Sequence, residues 1–161
     1  MTVLFKKHFQ ICYLVDDVHV AMKEWGEKYG IAKWHVMDMV AHHGEGAASR
    51  YLALAWTDEG LMIELIEPVE AVPSIYQNWR KDSGQAYRFH HLGFLVHSDE
   101  EFAAIKDELV KSGSPIAIEG KSGDMLEFAY IDTTQALGHY YELIYLKGEG
   151  KDLFFADVPM N

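Results

Sequence analysis

Cysteine is almost absent from this chain. Cys12 stands alone, so no intramolecular disulfide can form, and a reducing, cytoplasmic setting is expected. Basic side chains are also scarce: 14 Lys and Arg face 25 Asp and Glu, a formal net charge of −11. A field of that sign repels nucleic-acid backbones and anionic lipid surfaces, so neither is an expected partner. Long apolar runs are missing as well. The N-terminal MTVLFKKHFQ is too polar for a signal peptide, and no stretch approaches the ~18 apolar residues of a membrane span. Proline occurs four times in 161 residues, two of them in one short segment. What is present, 49% apolar and 24% charged residues, describes a single folded domain over 1–161. A chain of this length buries about 70% of the surface its unfolded form exposes, so it needs no structural metal. Any metal it binds would serve chemistry.

Two segments follow one plan. The first opens with the strand-like FQICYLVDD and passes into VHVAMKEWGEKYGI, where Ala21, Trp25 and Tyr29 recur every four residues and Gly30 ends the helix. WHVMDMV, the Gly-containing loop AHHGEGAASR, the strand YLALAW, a turn at TDEG and the strand LMIELIEP follow. The second opens with FHHLGFLVHSD, enters a helix with Phe102, Ile105 and Leu109 on one face, and stops at Gly113. PIAIEG, LEFAYID, the loop TTQALG and HYYELIYL complete it. The expected class is α+β, with tandem βαβββ modules at about 6–67 and 88–147. Residues 68–87 read as a linker with one helical turn, and the apolar tail 148–161 is expected to pack on the body or on a partner chain.

Superposing the modules places Gln10 on His91 and Glu64 on Glu142. Side chains two apart in a strand share a face. The apolar sets Phe9, Ile11, Tyr13 and Val15, Leu92, Phe94 and Val96, Leu61, Ile63 and Leu65, and Tyr141, Leu143 and Tyr145 are expected to face the helices, with His90 as an exception. Gln10, Glu64, His91 and Glu142 then share the opposite face. Carboxylates set between apolar or aromatic neighbours, Ile63 and Leu65 for Glu64 and Tyr141 and Leu143 for Glu142, are costly to bury without a partner, and a divalent cation is one. Two Glu, one His and one Gln suit Zn, Ni, Co, Mn or Fe in five or six coordination, with positions left for substrate.

These residues resemble the vicinal oxygen chelate superfamily, which includes glyoxalase I, methylmalonyl-CoA epimerase, bleomycin resistance proteins and extradiol dioxygenases. DDVHVAMKEWGEKYGI, HHLGFLV and GHYYELIYL are similar to the glyoxalase and epimerase branch, and the likeness spans about 6–147. It implies a curved mixed sheet, or cup, with helices outside and one divalent metal on Gln10, Glu64, His91 and Glu142. It further implies a lyase, isomerase or epimerase that stabilises the enolate of a small α-oxygenated carbonyl or thioester, with Glu142 as base and Glu64 second. The additional Glu base of the epimerases has no counterpart in YLALAW; Glu127 in LEFAYID is a substitute whose facing the sequence leaves open.

Two other readings exist. A metal-free module would hold an aromatic or antibiotic-like ligand in the same cup, but has no need of two acids facing one His. An extradiol dioxygenase requires His where Gln10 stands, and using His8 instead breaks the repeat register. His8 shares the parity of Gln10, so it is either a surface histidine or a group at the site mouth, and His42 and His43 read as a loop pair. Arg50, Arg80 and Arg88 read as solvated charges, Cys12 as a buried inert thiol, and Met62 and Tyr140 as cavity lining. The cup closes either within one chain or between two, and a homodimer is the expected assembly.

Overall fold

The computed structural model describes residues 3–161. The chain order is β1 (His8–Leu14), α1 (Val18–Tyr29), β2 (His35–Asp38), α2 (Met39–His43), β3 (Ser49–Trp56) and β4 (Met62–Pro68). It continues with β5 (Arg88–Val96), α3 (Asp99–Lys111), β6 (Ile116–Ser122), β7 (Leu126–Ile131), α4 (Thr134–Leu137), β8 (Tyr140–Leu146) and α5 (Gly150–Leu153). The α+β class and the tandem βαβββ order are those the sequence predicts. The loops differ in detail. AHHGEGAASR begins in α2, started by Asp38, whose carboxylate accepts from the Ala41 amide at 2.8 Å. TTQALG contains α4, which Gly138 stops at φ 78°. Among the described residues no helix is long and apolar enough to cross a membrane.

Two compact units divide the described residues, one of 11–90 with 158–161 and the other of 3–10 with 91–157. In the 11–90 unit the strands run β2-β3-β4-β1. Asp17 caps α1 by accepting from the Val20 amide at 2.9 Å, and Gly30 in the left-handed region closes it. The buried face of α1, Val18, Ala21 and Trp25, packs on Val15, Ala53, Ile63 and Leu65, with Ile11 and Tyr13 beside them. On the other side of these strands Cys12, Leu14 and Ile66 pack with Leu52, and Tyr76 and Trp79 of the linker lie over them. The linker therefore contributes packing as well as its short 3₁₀ turn at Lys81–Ser83. His90 is explained by this arrangement. Phe89 meets Tyr13 on the helix side at 5.8 Å, while the His90 ring lies edge-on to Tyr76 at 5.0 Å and Trp79 at 5.4 Å.

In the other unit the order is β5-β8-β7-β6, parallel for β5 with β8 and antiparallel for the rest. Ser98 caps α3 through the Glu101 amide at 3.1 Å, and three acids occupy its first turn, where the helix dipole favours them. Phe102 and Ile105 pack on Phe94, Val96, Ala129, Ile131, Leu143 and Tyr145, with Leu109 at the margin. The tail packs, as expected. Phe155 meets Phe9 at 5.7 Å in this unit. In the 11–90 unit, Trp56 donates to the Pro159 carbonyl, and the Asn161 side chain accepts from the Ala32 and Lys33 amides.

Candidate active site

Gln10, His91 and Glu142 come together in one unit. Gln10 and His91 lie near the centre of their strands and are almost fully buried; Glu142 is 8% exposed. His91 Nε2 stands 3.1 Å from Glu142 Oε2. The register explains the meeting. Tyr140 lies opposite His91 and Glu142 opposite Gly93, so β8 carries its carboxylate two residues along the strand on the same face as the imidazole.

Gly93 is required for a steric reason. A methyl group there would lie 2.6 Å from Gln10 Oε1 and 2.8 Å from its Cβ, so the missing side chain is what admits the Gln10 amide. Aromatic rings surround the rest. Tyr130 lies opposite Glu142 in β7, and its ring meets the His91 ring edge-on at 5.1 Å. Phe128 and Tyr140 adjoin Tyr130 at 6.1 and 6.5 Å. Burial, with Asp132 nearby, pushes the Tyr140 phenol above its ordinary pKa, so it stays a proton donor at neutral pH. Tyr130 escaped the sequence reading, because its place beside His91 depends on the β7–β8 register.

Glu64 lies in the 11–90 unit. It is 7% exposed on β4, opposite Leu54 of β3, on the face that carries Met62 and Ile66 and away from the helix-side Ile63 and Leu65. The predicted facing is the observed one.

The remaining candidates take other roles. Glu127 lies opposite Tyr145, on the α3 side of β7, and pairs with Lys121 at 2.5 Å and Lys147 at 2.6 Å. Those two ammonium groups hold its carboxyl below the usual carboxylate range, the wrong direction for a base. His8 bonds the Gln10 carbonyl through Nε2 and lies against Phe94, a helix-side residue. His42 and His43 end α2 in solvent. Arg50 is exposed near Glu67, and Arg80 lies over the Trp79 ring. Arg88 differs from its sequence reading as a solvated charge: it is buried, and its Nη2 donates to Asp16 at 2.8 Å. Cys12 is fully buried and reduced.

Comparison with known proteins shows the family and the fold. The sequence profile of the Glyoxalase/Bleomycin resistance protein/Dioxygenase superfamily matches residues 9–130, and the chain belongs to that superfamily. No curated protein matches it. Solved structures that resemble it include a Streptomyces coelicolor methylmalonyl-CoA epimerase variant in complex with 2-nitronate-propionyl-CoA. That structure is 17% identical at a TM-score of 0.62, over 88% of this chain and 98% of the other. Methylmalonyl-CoA epimerase from Mycobacterium tuberculosis is 16% identical, at 0.62 over 92% and 93%. A further methylmalonyl-CoA epimerase, in complex with methylmalonyl-CoA and NH4+, is 15% identical, at 0.62 over 88% and 95%. At these identities the likeness concerns the fold.

Proposed function

We propose that the protein is a divalent-metal-dependent epimerase or isomerase that stabilises the enolate of a small α-oxygenated carbonyl compound or thioester. Gln10, Glu64, His91 and Glu142 would hold one ion, of Zn, Ni, Co, Mn or Fe. The observation that carries the reading is the buried His91–Glu142 pair at 3.1 Å, with Gln10 admitted by Gly93. One imidazole, one amide oxygen and two carboxylates form a donor set that fits such an ion and offsets its charge. Bound there, the ion supplies a Lewis acid for developing oxyanion charge.

The chain's own residues do the rest. Glu142 takes the proton next to the carbonyl, and Glu64 is the second carboxylate able to do so. Tyr130, Phe128 and Tyr140 keep water from the reacting face of their unit, and the Tyr140 phenol supplies a hydrogen-bond donor. The thioesters held in the complexes of the similar epimerases, methylmalonyl-CoA above all, are the first substrates to try. Cytoplasmic residence and a homodimer belong to the same proposal, the latter checked by light scattering.

The test is the metal content of untagged protein, measured for the wild type and for Glu142→Ala and His91→Ala. One divalent ion per chain, lost from both variants, supports the reading. A wild type that stays metal-free after incubation with Zn, Ni, Co and Mn overturns it and directs the search to ligands of a metal-free cup.

A further inference from the structure

We propose that the outer edge of β6 is the homodimer interface, where a second copy of this chain pairs its own β6 antiparallel about Gly120. This surface deepens the homodimer reading above, on which it rests, and is independent of metal and substrate.

β6 ends the strand order β5-β8-β7-β6, and among the described residues no strand pairs with its other side. That side presents a row of backbone N–H and C=O groups, a template for another strand. Most of β6 is exposed, and Ile118 shows 43% of its surface. Edges that stay single are guarded by prolines, bulges or charges. Here the proline, Pro115, precedes the strand, and the register shift between Ile116 and Ile118 leaves 118–122 in regular pairing with β7. The two charges of the strand, Glu119 and Lys121, cancel. In a chain of net charge −11, two copies repel one another least where the local charge is zero.

Self-complementarity identifies the occupant. With Gly120 opposite its counterpart, the two-fold axis sets Glu119 opposite Lys121 of the second copy and Lys121 opposite Glu119. Both project on the α3 side of the sheet. Glu119 meets Lys106 of α3 at 2.6 Å, Lys121 meets Glu127 at 2.5 Å, and the two side chains remain 53% and 68% exposed. Pairing lines up Lys106, Glu119 and the second copy's Lys121 and Glu127, alternating in sign, on each side of the axis. A network of that kind is worth more than an isolated surface pair.

The other side of the sheet fits as well. Gly120 lies opposite Phe128, and a side chain on Gly120 would come within 2.8 Å of the Phe128 ring, so that ring reaches across β6 toward the edge. Glycine weakens a strand interior and often marks the close approach of another backbone. In the pair the two glycines face each other, the two Phe128 rings meet above them, and Ile118, on the same side opposite Tyr130, lies alongside. Apolar surface left open in one copy is covered by the other.

The experiment is light scattering over a concentration series. Wild type is expected to reach twice the chain mass. Glu119→Lys and Lys121→Glu each set like charges opposite one another on both sides of the axis, and each should weaken the dimer at least about tenfold. The double variant Glu119→Lys/Lys121→Glu restores opposite charges across the axis and should recover wild-type association within about threefold. It restores neither intrachain pair, with Lys106 or with Glu127, so a merely structural role for these side chains gives no recovery. Register is read from Ile118→Cys/Ser122→Cys. The axis sets these two positions opposite each other between copies, while in one strand they lie roughly 13 Å apart, so oxidation should give a covalent dimer that neither single variant gives. The native Cys12 is fully buried. A wild type that stays monomeric overturns both this surface and the homodimer. A wild-type dimer that the single reversals leave intact, that the double variant fails to restore, or that does not cross-link keeps the homodimer and overturns this surface.

Discussion

The two βαβββ modules use the same scaffold differently. Position 12 in the first corresponds to position 93 in the second, as Gln10 corresponds to His91. At position 12 a cysteine packs with Leu14 and Ile66 beneath the linker's Tyr76 and Trp79. At position 93 there is a glycine whose missing side chain makes room for the Gln10 amide. The first module fills that row with core, and the second empties it to admit a side chain from β1. Divergence between the repeats thus coincides with the proposed site: a position that packing would fill is left bare.

The comparison can be broken most forcefully at the acids and their partners. Removing one member of a buried pair leaves the other uncompensated, so His91→Ala should lose metal and destabilise the protein by about 3–5 kcal/mol in denaturant titration. Glu64→Gln, which keeps shape and removes charge, should weaken metal binding with little loss of stability. Equal stability losses in the two variants would show that the modules do not differ in this way.

Core truncations come next. Leu65 and Leu143 occupy matched, fully buried positions beside the two glutamates. Leu→Ala at either should cost about 2–5 kcal/mol, and the two values should lie close together. A wide gap would show that one module carries the stability. Gly93→Ala should cost about 1–3 kcal/mol, because the new methyl must displace Gln10; metal affinity should fall with it, measured by competition with a chelator.

The helix caps sharpen the comparison at smaller scale. Asp17→Ala and Ser98→Ala each remove one side-chain acceptor from a helix start and should each cost about 1 kcal/mol in thermal unfolding. The smallest effect belongs to Glu127. Its folded pKa lies below the ordinary value, so the unfolded chain takes up the proton first as pH falls. Its stabilisation is complete above the ordinary carboxylate pKa and is lost as pH falls through the lower folded value. Glu127→Gln should be less stable than wild type at pH 7, and the gap should close in acid.

Strand alternation is a local property, set by chain geometry at each residue. The sequence by itself therefore determined the tandem order, the helix faces of Trp25 and Phe102, and the facing of Glu64 and Glu142 away from the helices. Gln10 and His91 could be matched for the same reason. Cross-strand register and loop path are not local, and only the tertiary structure decided what depends on them. Tyr130 reaches His91 because β7 pairs with β8 in one particular register, and Gly120 comes to lie opposite Phe128 through the pairing of β6 with β7. Glu127 turned out to be clasped by Lys121 and Lys147 on the helix side, and Arg88 to be buried against Asp16, because burial of a charge depends on a distant partner. The linker read as a connector, yet Tyr76 and Trp79 became core, since a few aromatic side chains gain more from an apolar strand face than from water.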